Sequence, residues 1–271
     1  MKISRTLIVL LAGMCFMVWI PIDGSSKSYK LQFGIQTWTL RNLNFDQVVD
    51  FAVKHKIKYL QLIGTHLNPL APVEEIKQKK AILDKNGLVC YTFGVNATTT
   101  DKEKNRQLFE FAKIMGIKLM IVEPRNMSEW DSLEELVKEY DIKLAIHNHG
   151  LETTYGNPET VKKILQARDK RIGVCIDVGW VTAAGFDCAK VFRDYSDRVY
   201  DIHLKDKKLD TVEGKKVVTD VTIGTGSTNL IGLFKELKKK KWDGILALET
   251  DQNLKDPTAY VLSAMEFVQK H

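Results

Sequence analysis

Apolar residues recur along this chain in two alternating rhythms. Short runs that are apolar on consecutive positions stand at 31–35, 59–63, 88–93, 119–122, 144–146, 174–176, 200–204 and 245–248. Such runs predict strands covered on both faces, as parallel strands under helices are. Between them, apolar residues fall three or four apart. Phe45, Val48, Val49 and Ala52 share one face; Ile76, Ile82 and Leu83 follow with a slip in phase. Leu108, Phe109, Ala112 and Met115 make a third stripe, and Leu133, Leu136, Val137 and Tyr140 a fourth. Val161, Ile164 and Leu165 come next, then Val191, Phe192 and Tyr195, then Leu230, Leu233, Phe234 and Leu237. Tyr260, Val261, Ala264, Met265 and Val268 make the last. This second rhythm predicts amphipathic helices.

Eight strands thus alternate with eight helices. Gly87, Gly116 and Gly173 stand just before strands, where helix-to-strand turns need them. Asp46, Asp101, Ser128 and Asn157 stand near helix starts, where their side chains can cap free N–H groups. Pro158 and Pro257 suit a first helical turn. No low-complexity linker interrupts 29–271, and nothing in the middle suggests a reversal of winding direction. The expected fold is α/β: a single (β/α)8 TIM barrel over residues 29–271.

The remaining N-terminal segment has a different pattern. Lys2 and Arg5 precede an apolar stretch at 7–20, followed by Pro21, Asp23, Gly24, Ser25 and Ser26. A charged start, a short apolar core and a small polar exit are read as an export signal peptide over residues 1–26. The stretch is short for a membrane span, so no stable span is expected after signal removal. Met14 stands where a small residue should precede a lipidated Cys15, so the expectation is a periplasmic or secreted protein rather than a lipoprotein. Cys90, Cys175 and Cys188 then remain, an odd number without paired spacing, and are read as small buried hydrophobes.

Composition excludes little else. At 44% hydrophobic and 27% charged the chain is an ordinary globular protein. Its net charge of +6 raises the question of nucleic acid. The lysines are spread among acids, and the densest run, 238–241, closes a predicted helix where cations suit the dipole. No nucleic-acid partner is expected.

Chemistry concentrates at strand ends. Four runs read KLAIHNH (143–149), IGVCIDVGW (172–180), VYDIHLKD (199–206) and ILALET (245–250), each ending in a metal-friendly side chain. In a closed parallel barrel those ends converge at one mouth, and polar groups there are costly to desolvate unless they share a partner. One divalent metal ion held by His147, Asp177, His203 and Glu249 is the expected partner, with His149 as the alternative to His147. Mixed nitrogen and oxygen ligands favour Mn, Co, Zn or Fe over Mg. Glu123 ends the fourth strand and is a fifth ligand, a base, or a partner of Arg125. His149 and Glu249 are candidate proton handlers. Lys205 either stabilises an oxyanion or pairs with Asp206. Trp38 and Trp180 are candidate substrate platforms, core packing being the other reading of Trp38. The glycines of IGTGS (223–227) suit either a phosphate-binding helix N-terminus or a substrate-covering loop.

The segments KLAIHNHGLE, CIDVGW, HLKD, IGTGSTN and LALET resemble the xylose isomerase-like barrels, over 33–270. That group includes sugar phosphate isomerases/epimerases, ketose 3-epimerases, inosose dehydratases and endonuclease IV. HNHxxE is typical of its sugar phosphate isomerase/epimerase branch. The resemblance implies a cation held by acidic groups on strands five, six and eight and a His on strand seven; here those positions are His147, Asp177, Glu249 and His203. His147 departs from the usual Glu, which puts a symmetric two-glutamate epimerisation in question. Trp180 stands where many relatives carry a His, and the further zinc ligands of endonuclease IV are missing, so DNA repair is not implied. The implied function is a metal-dependent sugar isomerase/epimerase that removes a proton next to a carbonyl of a free or keto sugar. Alternatives are a lyase or hydratase acting by β-elimination on a keto-sugar or keto-glycoside, and a non-catalytic sugar-binding barrel. The partner is a small carbohydrate, and a homo-oligomer is compatible with the sequence.

Overall fold

The computed structural model describes residues 29–271; the leader read over 1–26 lies outside them. Eight parallel strands close into a barrel. They are β1 (Gln32–Gln36), β2 (Tyr59–Leu62), β3 (Val89–Asn96), β4 (Leu119–Val122), β5 (Lys143–His147), β6 (Ile172–Asp177), β7 (Val199–Leu204) and, after a hairpin, β10 (Ile245–Leu248). Around the ring the order is β1-β10-β7-β6-β5-β4-β3-β2. Every barrel strand predicted from the sequence is present; β4 and β10 have the predicted bounds, and no other end is shifted by more than three residues.

The helices are α1 (Phe45–Lys54), α2 (Val73–Lys85), α3 (Lys102–Met115), α4 (Glu129–Tyr140), α5 (Pro158–Ala167), α6 (Val178–Ala183), α7 (Cys188–Tyr195), α8 (Leu230–Lys240) and α9 (Thr258–Lys270). The predicted stripes face inward except at Ile82 of α2, which is exposed where the stripe slips: Val48, Val49 and Ala52, Ile76 and Leu83, Leu133, Leu136 and Val137, and Leu233, Phe234 and Leu237 are all buried. Asp101 caps α3 and Asn157 caps α5, as expected. Asp46 does not cap α1; Asn44 does, and it forms a reciprocal capping box with Gln47. Ser128 makes no capping bond. Gly173 lies inside β6 rather than in a turn; glycine is needed there because a Cβ would sit 2.4 Å from the Arg198 carbonyl oxygen.

Two further elements depart from strict alternation. The connection after β6 holds two short helices, α6 and α7, where one was expected. The segment after β7 is not a plain loop but an antiparallel hairpin, β8 (Asp206–Val212) with β9 (Lys215–Val221). Its turn residues Glu213 and Gly214 have φ of 50° and 75°, the left-handed pair that a tight hairpin requires. Its outer residues do not alternate: Lys215 and Lys216 are both exposed, Val217 and Val218 are both half-buried, and Val212 is exposed, so no period-two signal is visible. Both departures flank the C-terminal mouth of the barrel, where β6 and β7 end.

Candidate metal centre

The barrel places four side chains at one level because four strands stop there. His147 is the last residue of β5, Asp177 the last of β6, His203 the fifth of β7, and Glu249 follows β10 directly. Parallel register aligns Asp177 with His203, and His203 with Ala247. All four are buried, and each offers a ligand atom within 4.8 Å of the others. His147 Nε2 lies 3.1 Å from His203 Nδ1 and 3.8 Å from Asp177 Oδ2, and His203 Nδ1 lies 2.5 Å from Glu249 Oε2. Two donors bound at the usual N and O distances to one ion stand roughly 3–4.4 Å apart, so small side-chain adjustments bring this set around a single centre.

The local sequence explains the placement. Asp177 divides its carboxylate: Oδ1 accepts from the Trp180 N–H at 2.9 Å and caps α6, while Oδ2 faces the cluster. Asn148, between the two histidines of the HNH motif, clamps the Asp177 backbone. Its Nδ2 donates to the Asp177 carbonyl at 3.2 Å, and its Oδ1 accepts from the Asp177 N–H at 3.0 Å. His203 Nε2 lies 3.0 Å from Gln61 Oε1.

The donor set fits a divalent cation. Among buried polar atoms without a hydrogen bond are Asp177 Oδ2, Glu249 Oε2 and His147 Nδ1. Buried groups are rarely left so. His147 Nδ1 faces Glu123, whereas the two carboxylate oxygens face the cluster. Within the chain, each of these oxygens stands beside a single cationic group, the Lys205 ammonium for Asp177 and the His203 ring for Glu249, and a divalent ion would be a partner common to both. Burial works against a charged His203, but Glu249 first, then Asp201 and Asp177, more than offset it and raise its pKa above the ordinary histidine value. Burial lowers His147. Burial would raise Glu249, yet Lys205 and His203 hold it well below the usual carboxylate range.

Lys205 does not pair with Asp206. Its ammonium, almost fully buried, lies 3.0 Å from Asp177 Oδ2, 3.1 Å from Asp251 Oδ2 and 3.6 Å from Glu249 Oε1. Burial opposes its charge, but the carboxylates of Asp177, Glu249, Asp251 and Asp220 raise its pKa well above normal. Asp206 instead accepts the backbone N–H groups of Gly224 (2.9 Å), Gly226 (2.8 Å) and Thr228 (3.2 Å). The amides of the IGTGS segment are therefore spent on a carboxylate of the chain itself, and the phosphate-cradle reading of that segment fails.

Glu123 and His149 form a second group on the same mouth. Glu123 Oε2 lies 2.7 Å from His149 Nδ1 and 3.9 Å from His147 Nδ1; its partner is His149, not Arg125. Burial would raise the Glu123 pKa, but the two imidazoles pull it down to about 2. His149 moves the other way: burial lowers it, and Glu123 more than compensates. A cavity of about 480 Å³ opens beside this pair, lined among others by Asn96, Glu123, Arg125, His149 and Glu152. Trp180 borders the mouth, its ring 6.0 Å from that of His149 and 3.9 Å from the Lys207 ammonium. Lys207 is fixed by Asp220 of the hairpin and by Asp251. Trp38 sits on a short 3-10 helix (Thr37–Leu40), 41% exposed and stacked under Arg41, and the neighbouring Thr39 hydroxyl bonds the Leu248 carbonyl just before Glu249.

Sequence reasoning missed Gln61, Asn148, Asp201, Asp220 and Asp251. Asn148 lies inside a quoted motif and was available to it. Gln61 was visible as the one amide in an apolar strand, YLQL. Asp220 was hidden with the hairpin that carries it.

Known proteins give the same outline. A family model described as "xylose isomerase-like TIM barrel" matches residues 49–271. An inosose dehydratase of Clostridium perfringens (strain 13 / Type A) is 24% identical over 242 residues, covering 73% of this chain and 81% of that protein. Escherichia coli 3-keto-D-glucoside 4-epimerase superposes with a TM-score of 0.69 at 15% identity, covering 89% of this chain and all of the other. An IolI protein solved with a zinc atom gives 0.66 at 18% identity, covering 88% and 94%. The two structures, at these identities, speak for the fold alone. With a family match over most of its length and a closed eight-stranded parallel barrel, the chain belongs to the xylose isomerase-like TIM barrels.

Proposed function

We propose that the chain is a divalent-cation-dependent enzyme that removes a proton from a carbon next to a carbonyl of an unphosphorylated keto sugar, in the manner of an isomerase or epimerase. The carrying observation is the placement of Glu249 and the Glu123–His149 pair on opposite walls. β10, which presents Glu249, and β4, which precedes Glu123, are four places apart in a ring of eight. His147, Asp177 and His203 lie between them and, with Glu249, would hold the ion. When bound, a divalent cation there supplies Lewis-acid polarisation of a carbonyl oxygen and a template for the neighbouring oxygen.

The protein's own groups do the rest. A carboxylate on one wall takes the proton as the C–H bond breaks, and the bonding pair becomes the C=C of an enediol or enediolate. His149, oriented by Glu123, stands across the site to return a proton to the other carbon or the other face. This pair supplies the second wall that the exchange of the fifth-strand Glu for His147 removed. Lys205 balances the negative charge of Asp177 and Glu249. Trp180 and Trp38 offer apolar faces to a sugar ring. The leader read over 1–26 goes with an exported enzyme, and the spent amides of the IGTGS segment fit a substrate without phosphate.

A second reading is elimination, with His149 protonating a leaving hydroxyl or glycosidic oxygen; the likeness to an inosose dehydratase favours it. Incubation of keto-sugars with enzyme and Mn²⁺ or Co²⁺ in deuterated water tests both. Deuterium in a product of otherwise unchanged composition supports isomerisation, and a product lighter by water or by an aglycone supports elimination. Tight sugar binding with neither exchange nor product would leave a binding protein and overturn the enzyme reading.

A further inference from the structure

Gln61, at the third position of β2, is fully buried inside the barrel. Its Nε2 donates to the Gly94 carbonyl at 2.9 Å, and its Oε1 faces His203 Nε2 at 3.0 Å. A carbonyl carries no hydrogen, so only the NH2 end of the amide can face Gly94. The acceptor end must then face His203, and Nε2 of that ring must carry a hydrogen. In the neutral ring this leaves the lone pair on Nδ1, the atom that points at His147 and Glu249.

The anchor is itself fixed. A Cβ at position 94 would lie 2.3 Å from the Ile121 carbonyl, so glycine is needed where the backbone passes β4. Buried Gln36 donates to the same Gly94 carbonyl at 3.2 Å, while its Oε1 accepts the Trp38 N–H at 2.6 Å. One carbonyl thus orients two amides, one holding His203 and one holding the turn that carries Trp38. The Asp201 carboxylate also approaches Nε2, but its Oδ2 lies 3.8 Å away, beyond hydrogen-bond length.

We propose that Gln61 is a positioning residue that selects the Nε2–H tautomer of His203, so that Nδ1 is the ring atom offered to a divalent cation. The inference rests on the cation site proposed above. Without Gln61, a neutral His203 finds its best acceptor in Glu249 Oε2, 2.5 Å from Nδ1. That tautomer turns a ligand atom into a hydrogen donor. Polar partners of this kind orient metal-binding histidines and raise their basicity.

Zinc is a suitable probe, with chelator competition for affinity and long-range ¹H–¹⁵N spectra of histidine-labelled protein for the tautomer. The zinc-loaded wild type is expected to show His203 protonated at Nε2. Gln61→Leu is expected to bind zinc about 10- to 100-fold more weakly with an unchanged far-ultraviolet circular dichroism spectrum. Gln61→Glu, which still accepts from Nε2, is expected to keep the tautomer. Hydrogen on Nδ1 in the zinc-loaded wild type, or wild-type zinc affinity in Gln61→Leu, overturns the proposal. The wild-type spectrum decides alone if Gln61→Leu does not fold. A wild type that binds no zinc sinks the cation site instead, and the tautomer of the ion-free neutral ring then still tests Gln61.

Discussion

Two buried histidines in this barrel lead opposite lives. His66, in the loop after β2, has both ring nitrogens engaged: Nδ1 lies 2.9 Å from the Thr37 hydroxyl and Nε2 lies 3.1 Å from the Leu43 carbonyl. It ties two connections together and asks for nothing more. His203 has one nitrogen fixed by Gln61, while the other faces His147 and Glu249 among atoms that lack hydrogen bonds. Burial is common to both. Both rings have two partners, but only around the second do neighbouring buried oxygens, Asp177 Oδ2 and Glu249 Oε2, lack a hydrogen bond, and that surplus, rather than the presence of a histidine, distinguishes a site from a strut.

Removing a member of the unsatisfied cluster should have the largest effect. Asp177→Asn keeps a helix cap, because Asn serves there as well as Asp. It removes a charged oxygen from the cluster. Zinc or manganese affinity should fall by more than the 10- to 100-fold expected for an outer-sphere partner, and solvent-proton exchange into the sugar should vanish. Calorimetric titration against wild type checks this, and an Asn variant with unchanged affinity would remove Asp177 from the set. Lys205→Met comes next. It leaves the acids around it without their buried cation, at a cost of about 3–5 kcal/mol to the ion-free protein. Added Mn²⁺ should return part of that loss in a denaturant titration, since a cation would then balance the same acids. A loss that Mn²⁺ does not touch would mean that Lys205 and the ion do not share partners.

How much of this contrast the sequence displayed depends on the range of the forces involved. Strand runs and helical stripes are local consequences of burial, so the barrel was legible from periodicity. The convergence of His147, Asp177, His203 and Glu249 followed from topology, since each ends a strand. The partners of those residues did not follow. Lys205 and Asp206 are neighbours in sequence, and a surface chain would pair them; strand alternation instead sends one toward Asp177 and Asp251 and the other toward the amides at 224–228. Glu123 likewise met His149 rather than Arg125. The hairpin, half exposed with a Glu-Gly turn, carried too mixed a pattern to be seen, and with it went Asp220 and the setting of Lys207.

A milder break belongs to the satisfied side of the comparison. Asp206→Ala removes the acceptor of three backbone amides, one buried and two part-buried, and should cost about 1–3 kcal/mol, with little change in zinc affinity. Chemical denaturation and zinc titration on one sample separate the two quantities. Reduced zinc affinity would show that the 224–228 turn is coupled to the cluster, and the contrast between strut and site would blur.

The smallest expected effect is the pH response of His66. Burial, its largest influence, lowers its pKa below the ordinary histidine value, and the bonds to the Leu43 and Leu40 carbonyls only partly oppose this. The unfolded chain therefore takes up a proton at a higher pH than the folded one. Between the ordinary histidine pKa of about 6.5 and the lower folded value, the unfolded state binds more protons, so stability falls as pH falls through that window. Above it the contribution is complete. His66→Gln has a donor for the Leu43 carbonyl and an acceptor for the Thr37 hydroxyl but nothing to titrate. The difference in melting temperature between wild type and this variant should shift against the wild type as pH drops from 7.5 to 5.5. Taking the difference cancels the opposite pull of His149 and His203, whose pKa values are raised. A difference flat with pH would mean that His66 is not held neutral by its surroundings, and that full hydrogen bonding alone does not make a buried histidine inert.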